Sequence, residues 1–172
     1  IGPSPEAGDV TITKPPTYSY INQPTVVEGN AKGGEFERYT LAFGKGLNPT
    51  AWVQIGGDHH NQVDNGPLEF WDVTGLEDGL YSLQLTVVDR SQGFRQTTIQ
   101  VTLDTVSPTL DLNYPQDGDT YVYGDDEWVT INAEVFDNLS MDRVEFFVLD
   151  GTPLPEGEVL QPFAVRKVAP FN

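Results

Sequence analysis

The sequence predicts an all-β chain: one complete β-sandwich followed by a second that stops short. Three observations lead there. Short segments alternate apolar and polar side chains and are separated by Gly, Pro, Asn and Asp, which is the pattern of strands and turns. A Leu-x-x-Gly-x-Tyr corner at Leu76, Gly79 and Tyr81 runs directly into strict alternation in GLEDGLYSLQLTVVDR. The corner occurs once in 172 residues, whereas other parts of the pattern occur twice.

Val10 to Thr13 and Val26 to Ala31 supply the first two strands. In the third, Tyr39, Leu41 and Phe43 alternate with Arg38, Thr40 and Ala42. Trp52, Val53 and Ile55 mark a short fourth strand, and Leu68 to Trp71 a fifth. In the sixth, Tyr81, Leu83, Leu85 and Val87 point to one face while Ser82, Gln84 and Thr86 point to the other. A turn from Asp89 to Gly93 leads to the seventh, with Ile99, Val101 and Leu103 inward, so the last two strands form a hairpin. Seven strands in roughly 95 residues is the count of an immunoglobulin-like β-sandwich. In such a fold Leu76, Gly79 and Tyr81 are structural, with the phenol bonded to nearby backbone to pin a strand crossing.

LDTVSPTLDL, from Leu103 to Leu112, reads as a short linker in which Pro108 breaks one ladder before the next begins. The pattern then repeats. VTITKP matches LDLNYP, PTVVEGNA matches EWVTINAE, and FERYTLAF matches MDRVEFFV. The second copy's inward face is expected at Val129, Ile131, Ala133 and Val135, then Val144, Phe146 and Val148. Further short strands are expected around Glu158 to Leu160 and Phe163 to Val168. On the first copy's numbering, the second ends before the equivalent of Leu68 to Leu103, and that is why its corner is missing. The domain reading is therefore an N-terminal linker over residues 1–9 and an immunoglobulin-like sandwich over residues 10–105. A second, incomplete immunoglobulin-like sandwich follows over residues 106–172, truncated before its last strands. A half-sandwich leaves apolar surface wet, at roughly 25 cal/mol per Å² forgone, and leaves strand edges unpaired.

Composition narrows the function classes. The net charge of −17, from 26 acidic and 9 basic residues, repels phosphate backbones and anionic lipid, so nucleic acid and membrane surfaces are poor partners. The absence of cysteine excludes disulfides, Cys-ligated zinc and thiol catalysis. No apolar run reaches the roughly 18 residues that span a bilayer, so no direct membrane insertion is expected. The chain opens IGPSPEAGDV, which reads as a piece of something longer.

The first copy resembles the bacterial immunoglobulin-like or fibronectin type III-like modules that trail cell-envelope proteins. The likeness rests on GEFERYTLAFGKGLNPTAWVQI, NGPLEFWDVTGLEDGLYSLQLTVVD and VTLDTVSP. Segments of this kind are similar to those at the C-terminal end of large penicillin-binding proteins, the peptidoglycan glycosyltransferase/transpeptidases of the bacterial exterior. The second copy, with AEVFDN, VEFFVLDG and VAPFN, resembles another module of this sort. The resemblance implies an exported bacterial protein, extracellular or in the cell envelope, whose partners are neighbouring domains of its own polypeptide and an envelope protein or cell-wall glycan. It implies a spacer or interaction module and no enzyme. His-Glu-x-x-His, Gly-x-Ser-x-Gly, Ser-x-x-Lys and Lys-Thr-Gly are all absent, so the catalytic chemistry of such a host lies in other domains.

Three groups are candidates for binding. His59 and His60, in the loop-like run GGDHHNQ, point to opposite faces if extended and do not chelate together. Acidic loops could supply the hard oxygen ligands of Ca²⁺, the one cofactor the sequence raises. The poles of a tandem sandwich would bring Glu77, Asp78 and Asp104 towards Asp137, Asn138 and Asp142 across the linker, with DGD (Asp117 to Asp119) and GDDE (Gly124 to Glu127) as a second cluster. The competing reading is a solvated acidic surface and no cofactor. Trp52 and Trp71, with Trp128 and the tyrosines at 18, 20, 121 and 123, could stack on sugar rings, which makes a carbohydrate-binding module the alternative function. Otherwise they cover core edges.

Overall fold

The computed structural model describes residues 9–122, 124, 128–139, 141–149, 151 and 158–167. Tyr123, the Asp125 to Glu127 run and VAPFN lie outside the described residues. The described residues contain strands, turns and bends and no helix. The chain divides into two compact units, Ile1–Thr105 and Val106–Asn172.

The first unit is an open sandwich of two sheets. β1 (Val10–Lys14), β3 (Thr25–Ala31) and β6 (Val63–Trp71) form a three-stranded antiparallel sheet in the order β1-β3-β6. β2 (Ser19–Ile21), β4 (Phe36–Lys45), β5 (Val53–His59), β7 (Gly79–Asp89) and β8 (Phe94–Leu103) form the other, in the order β2-β8-β7-β4-β5. β7 and β8 make the expected hairpin, paired from Gly79↔Leu103 to Val88↔Phe94.

Period two decides which side chains the sheets enclose. Leu83, Leu85 and Val87 of β7, Val101 and Leu103 of β8 and Leu41 of β4 are all fully buried. They meet Val27, Ala31, Leu68 and Trp71 from the three-stranded sheet in one cluster. Each such side chain is worth about 1.5–3 kcal/mol relative to exposure, so this layer is the main source of the first unit's stability.

Two features depart from the sequence reading. The described residues of the first unit form eight strands where seven were expected. Pro15 and Pro16 bring no N–H to a ladder, so the chain leaves the three-stranded sheet after Lys14. It rejoins the other sheet at Ser19, running parallel to β8 with Ser19↔Val101 and Ile21↔Leu103. The second departure is GGDHHNQ, expected as loop. β5 continues through Gly56, Gly57 and Asp58 to His59, because His59 pairs with Tyr39 across a register shift.

The second unit contains β9 (Thr109–Tyr114), β10 (Asn132–Phe136), β11 (Val144–Phe146) and β12 (Ala164–Arg166), paired as β9·β10 and β11·β12. Its opening resembles that of the first unit. In both, an antiparallel pair begins with a strand ending before a cis proline, Pro15 or Pro115. Asn side chains also tie both pairs together: Asn30 Nδ2 donates to Thr11 Oγ1 at 2.9 Å, and Asn113 Nδ2 to Asn132 Oδ1 at 3.1 Å. The expected inward face is only partly enclosed. Ala133 and Val144 are buried, Ile131, Val135 and Phe146 half-buried, and Val129 and Val148 exposed. Two-stranded sheets supply too little second layer to cover that face. Glu158 to Leu160 form no strand; the pairing begins at Ala164.

Candidate interaction face

The corner is built as its residue types require. Gly79 takes φ +134°, a conformation closed to most L side chains. Leu76 packs against the core. The Tyr81 hydroxyl donates to the Glu77 carbonyl at 2.8 Å. The Tyr81 ring lies 6.1 Å from both Trp71 and Phe43, and those two rings are 5.4 Å apart. Burial pushes the Tyr81 phenol upward, so it remains a donor at neutral pH.

The acidic candidates each have local partners. Lys45 Nζ contacts Glu77 Oε2. That hydrogen bond, then the Lys45 charge, holds the Glu77 carboxyl below the ordinary range. Asp78 Oδ1 accepts from Thr105 N and Oγ1 at 3.0 and 2.7 Å. Asp104, half-buried, donates its backbone N–H to Ile21 O at 2.9 Å. In the second unit, Asp137 Oδ1 accepts from Leu139 N at 2.9 Å, Asp142 contacts Arg143, and Asn138 is exposed. Among the described residues, no three His, Asp or Glu side chains gather as a metal-holding group.

The tryptophans separate. Trp71 is 1% exposed and presents no face on which a sugar could stack, which corrects its place among the stacking candidates. Trp52 is 38% exposed, on the loop that enters β5. That loop folds back over one end of the five-stranded sheet. Ser82 Oγ donates to Gly46 O at 2.9 Å, and a Cβ on Gly44 would lie 2.4 Å from Pro49.

Beyond the loop, the outer side of the five-stranded sheet is open. Cross-strand register sets its side chains in rows: Arg38, Val88 and Phe94, then Thr40, Thr86 and Gln96, then Ala42, Gln84 and Thr98. No carboxylate stands in these rows, although the chain has 26 acidic residues. The amides link the strands: Gln96 Nε2 donates to Thr86 Oγ1 at 3.0 Å and lies 3.3 Å from Gln84 Oε1. Arg38, the one charge, is neutralised at the rim by Glu37 Oε1 at 3.3 Å and Asp58 Oδ2 at 3.1 Å. An open depression of about 440 Å³ lies at this end, lined by Thr86, Val88 and Gln96, by Phe94 and Gln92, and by the paired charges of Glu37 and Arg38. Phe94 is 66% exposed.

No protein-family model matches the chain, and no curated protein does. Among solved structures, the chain is similar to the crystal structure of an engineered protein, with 18% identity over 58% of this chain and 21% of that one, at a TM-score of 0.42.

The sequence did not single out this face, because an outward-facing Gln or Thr carries no motif. Its one available signal was the run of neutral polar residues alternating with the core residues of β7 and β8. The contact between His59 and Glu69, 2.8 Å apart, is likewise hidden in the sequence, because GGDHHNQ has the composition of a loop.

Proposed function

We propose that this chain is a non-catalytic spacer and interaction module, immunoglobulin-like in its first unit, belonging to a larger exported protein of the bacterial cell envelope. Penicillin-binding proteins are the hosts its motifs resemble. The observation that supports this reading is the order β1-β3-β6 against β2-β8-β7-β4-β5, with Tyr81 bonded to Glu77 at the foot of β7. A seven-stranded immunoglobulin sandwich likewise sets its first, second and fifth strands against its third, sixth and seventh, and carries such a corner. Its fourth strand, however, lies with the first group, whereas β5 here pairs with β4. A spacer needs a unit that resists extension, and two sheets locked by buried Leu, Val and aromatic side chains meet that need. Single-molecule pulling of the chain checks it. The first unit should give one discrete unfolding event, and gradual extension without a force peak would remove the spacer reading.

A second reading, a carbohydrate-binding module for cell-wall glycan, draws on the neutral amide- and hydroxyl-bearing rows of the outer sheet face. Co-sedimentation with insoluble peptidoglycan tests it, with retention in the pellet expected.

A further inference from the structure

Building on the carbohydrate-binding reading, we infer that the outer face of β4, β7 and β8 is the docking surface, and that its ligand is a neutral, hydroxyl-rich oligosaccharide. Charge is the first argument. A chain of net charge −17 repels polyanions and gathers cations at its carboxylates. The rows around Thr86, Gln84 and Gln96 bear neither acid nor lysine, so an uncharged ligand meets the least opposition there.

Hydrogen-bond chemistry is the second. Gln offers both donors and an acceptor, and Thr a hydroxyl that does either. A partner that fills such a surface must bring both functions at close intervals without formal charge, and a polyol does so at every hydroxyl. Partly solvated side chains of this kind exchange water for sugar hydroxyls at little desolvation cost. Shape is the third. The depression beside Phe94, whose lining includes the mutually neutralising Glu37–Arg38 pair, is within the usual size of small-ligand clefts. The exposed Phe94 ring offers an apolar flank for the C–H face of a sugar. Tyr20, 59% exposed and paired with Thr102, stands at the far edge of the same sheet. A second copy of the chain suits the face less well, because a copy brings another −17 and stable self-association favours an apolar centre.

The test is amide-resolved NMR titration of the full chain with chitohexaose and cellohexaose, using a hyaluronan hexasaccharide as the anionic control. Binding should perturb amides of β7 and β8 around Thr86 and Gln96, with either neutral sugar and without the anionic one. Gln84→Glu with Gln96→Glu should weaken binding at least tenfold, and Phe94→Ala by about tenfold, with the core resonances unchanged. Perturbations confined to the loop around Trp52 would overturn this surface while leaving the carbohydrate-binding reading in place. Silence towards all sugars at millimolar concentration, together with no peptidoglycan sedimentation, would remove both. Equal binding of the anionic sugar, or concentration-dependent shifts of these amides with a rise in mass by sedimentation, would also overturn the inference.

Discussion

His59 Nε2 lies 2.8 Å from Glu69 Oε2, and this contact joins the edge strand of one sheet to the edge strand of the other. The His59 ring also stacks on Tyr39, with centroids 4.6 Å apart and planes 17° from parallel. Tyr39 in turn donates its hydroxyl to Leu68 O at 2.7 Å, a second bond from sheet to sheet. Burial, with the Glu69 charge adding to it, raises the Tyr39 phenol and keeps it a donor. Glu69→Leu should therefore lower stability by about 0.5–1.5 kcal/mol, read as a fall in urea midpoint at constant slope. An unchanged midpoint would show that solvent replaces the pair at no cost.

Gly56 makes room for that carboxylate. Its φ is +65°, and a Cβ built there would lie 1.9 Å from Glu69 Oε2. Gly56→Ala meets both a left-handed backbone and a steric clash, and should cost more than about 1 kcal/mol. Gly57, with no atom within 4 Å of its Cβ position, is the control, and Gly57→Ala should stay within about 0.5 kcal/mol of the wild type. Thermal melts of the two variants compare directly. Equal effects would refute the argument.

At the corner, Tyr81→Phe removes a single O–H from the bond to Glu77 and leaves the aromatic packing with Trp71 and Phe43 intact. The expected loss is about 1 kcal/mol, or about 4–8 °C in melting temperature for a unit of this size. A shift below about 1 °C would mean that the corner contributes by ring packing alone.

These sites differ in how far the sequence disclosed them. The core of β7 was legible because a half-buried strand must alternate: Leu83, Leu85 and Val87 are inside, and Gln84 and Thr86 outside. Tyr81 was legible through its spacing from Leu76 and Gly79. Alternation fails at the end of β6. It places Phe70 with Leu68, yet Trp71 turns inward against Phe43 and Tyr81 while Phe70 is 55% exposed. His59 was illegible for a different reason. Gly-Gly-Asp-His-His has the composition of a loop, and only pairing with Tyr39 of β4, distant in sequence, extends it as strand. The open sheet face depends likewise on cross-strand register, which no single segment reveals.

The Lys45–Glu77 contact sets a pH dependence whose sign follows from its two ends. Hydrogen bonding to Lys45, then its charge, lowers the Glu77 carboxyl in the folded chain. Its stabilising contribution is therefore present above the unfolded glutamate value, about 4.3, and is lost as pH falls through the lower folded value. Lys45 is raised, first by the hydrogen bond to Glu77. Its contribution is full below the unfolded lysine value and is lost as pH rises through the folded one. Both side chains are solvated, so salt screens the pair. Glu77→Gln keeps the backbone carbonyl that Tyr81 uses and removes only the charge. The melting temperature of the variant should fall below the wild type near neutral pH, and the gap should close under acid and in about 1 M salt. A gap that persists in acid would place the effect of Glu77 in packing and not in its charge.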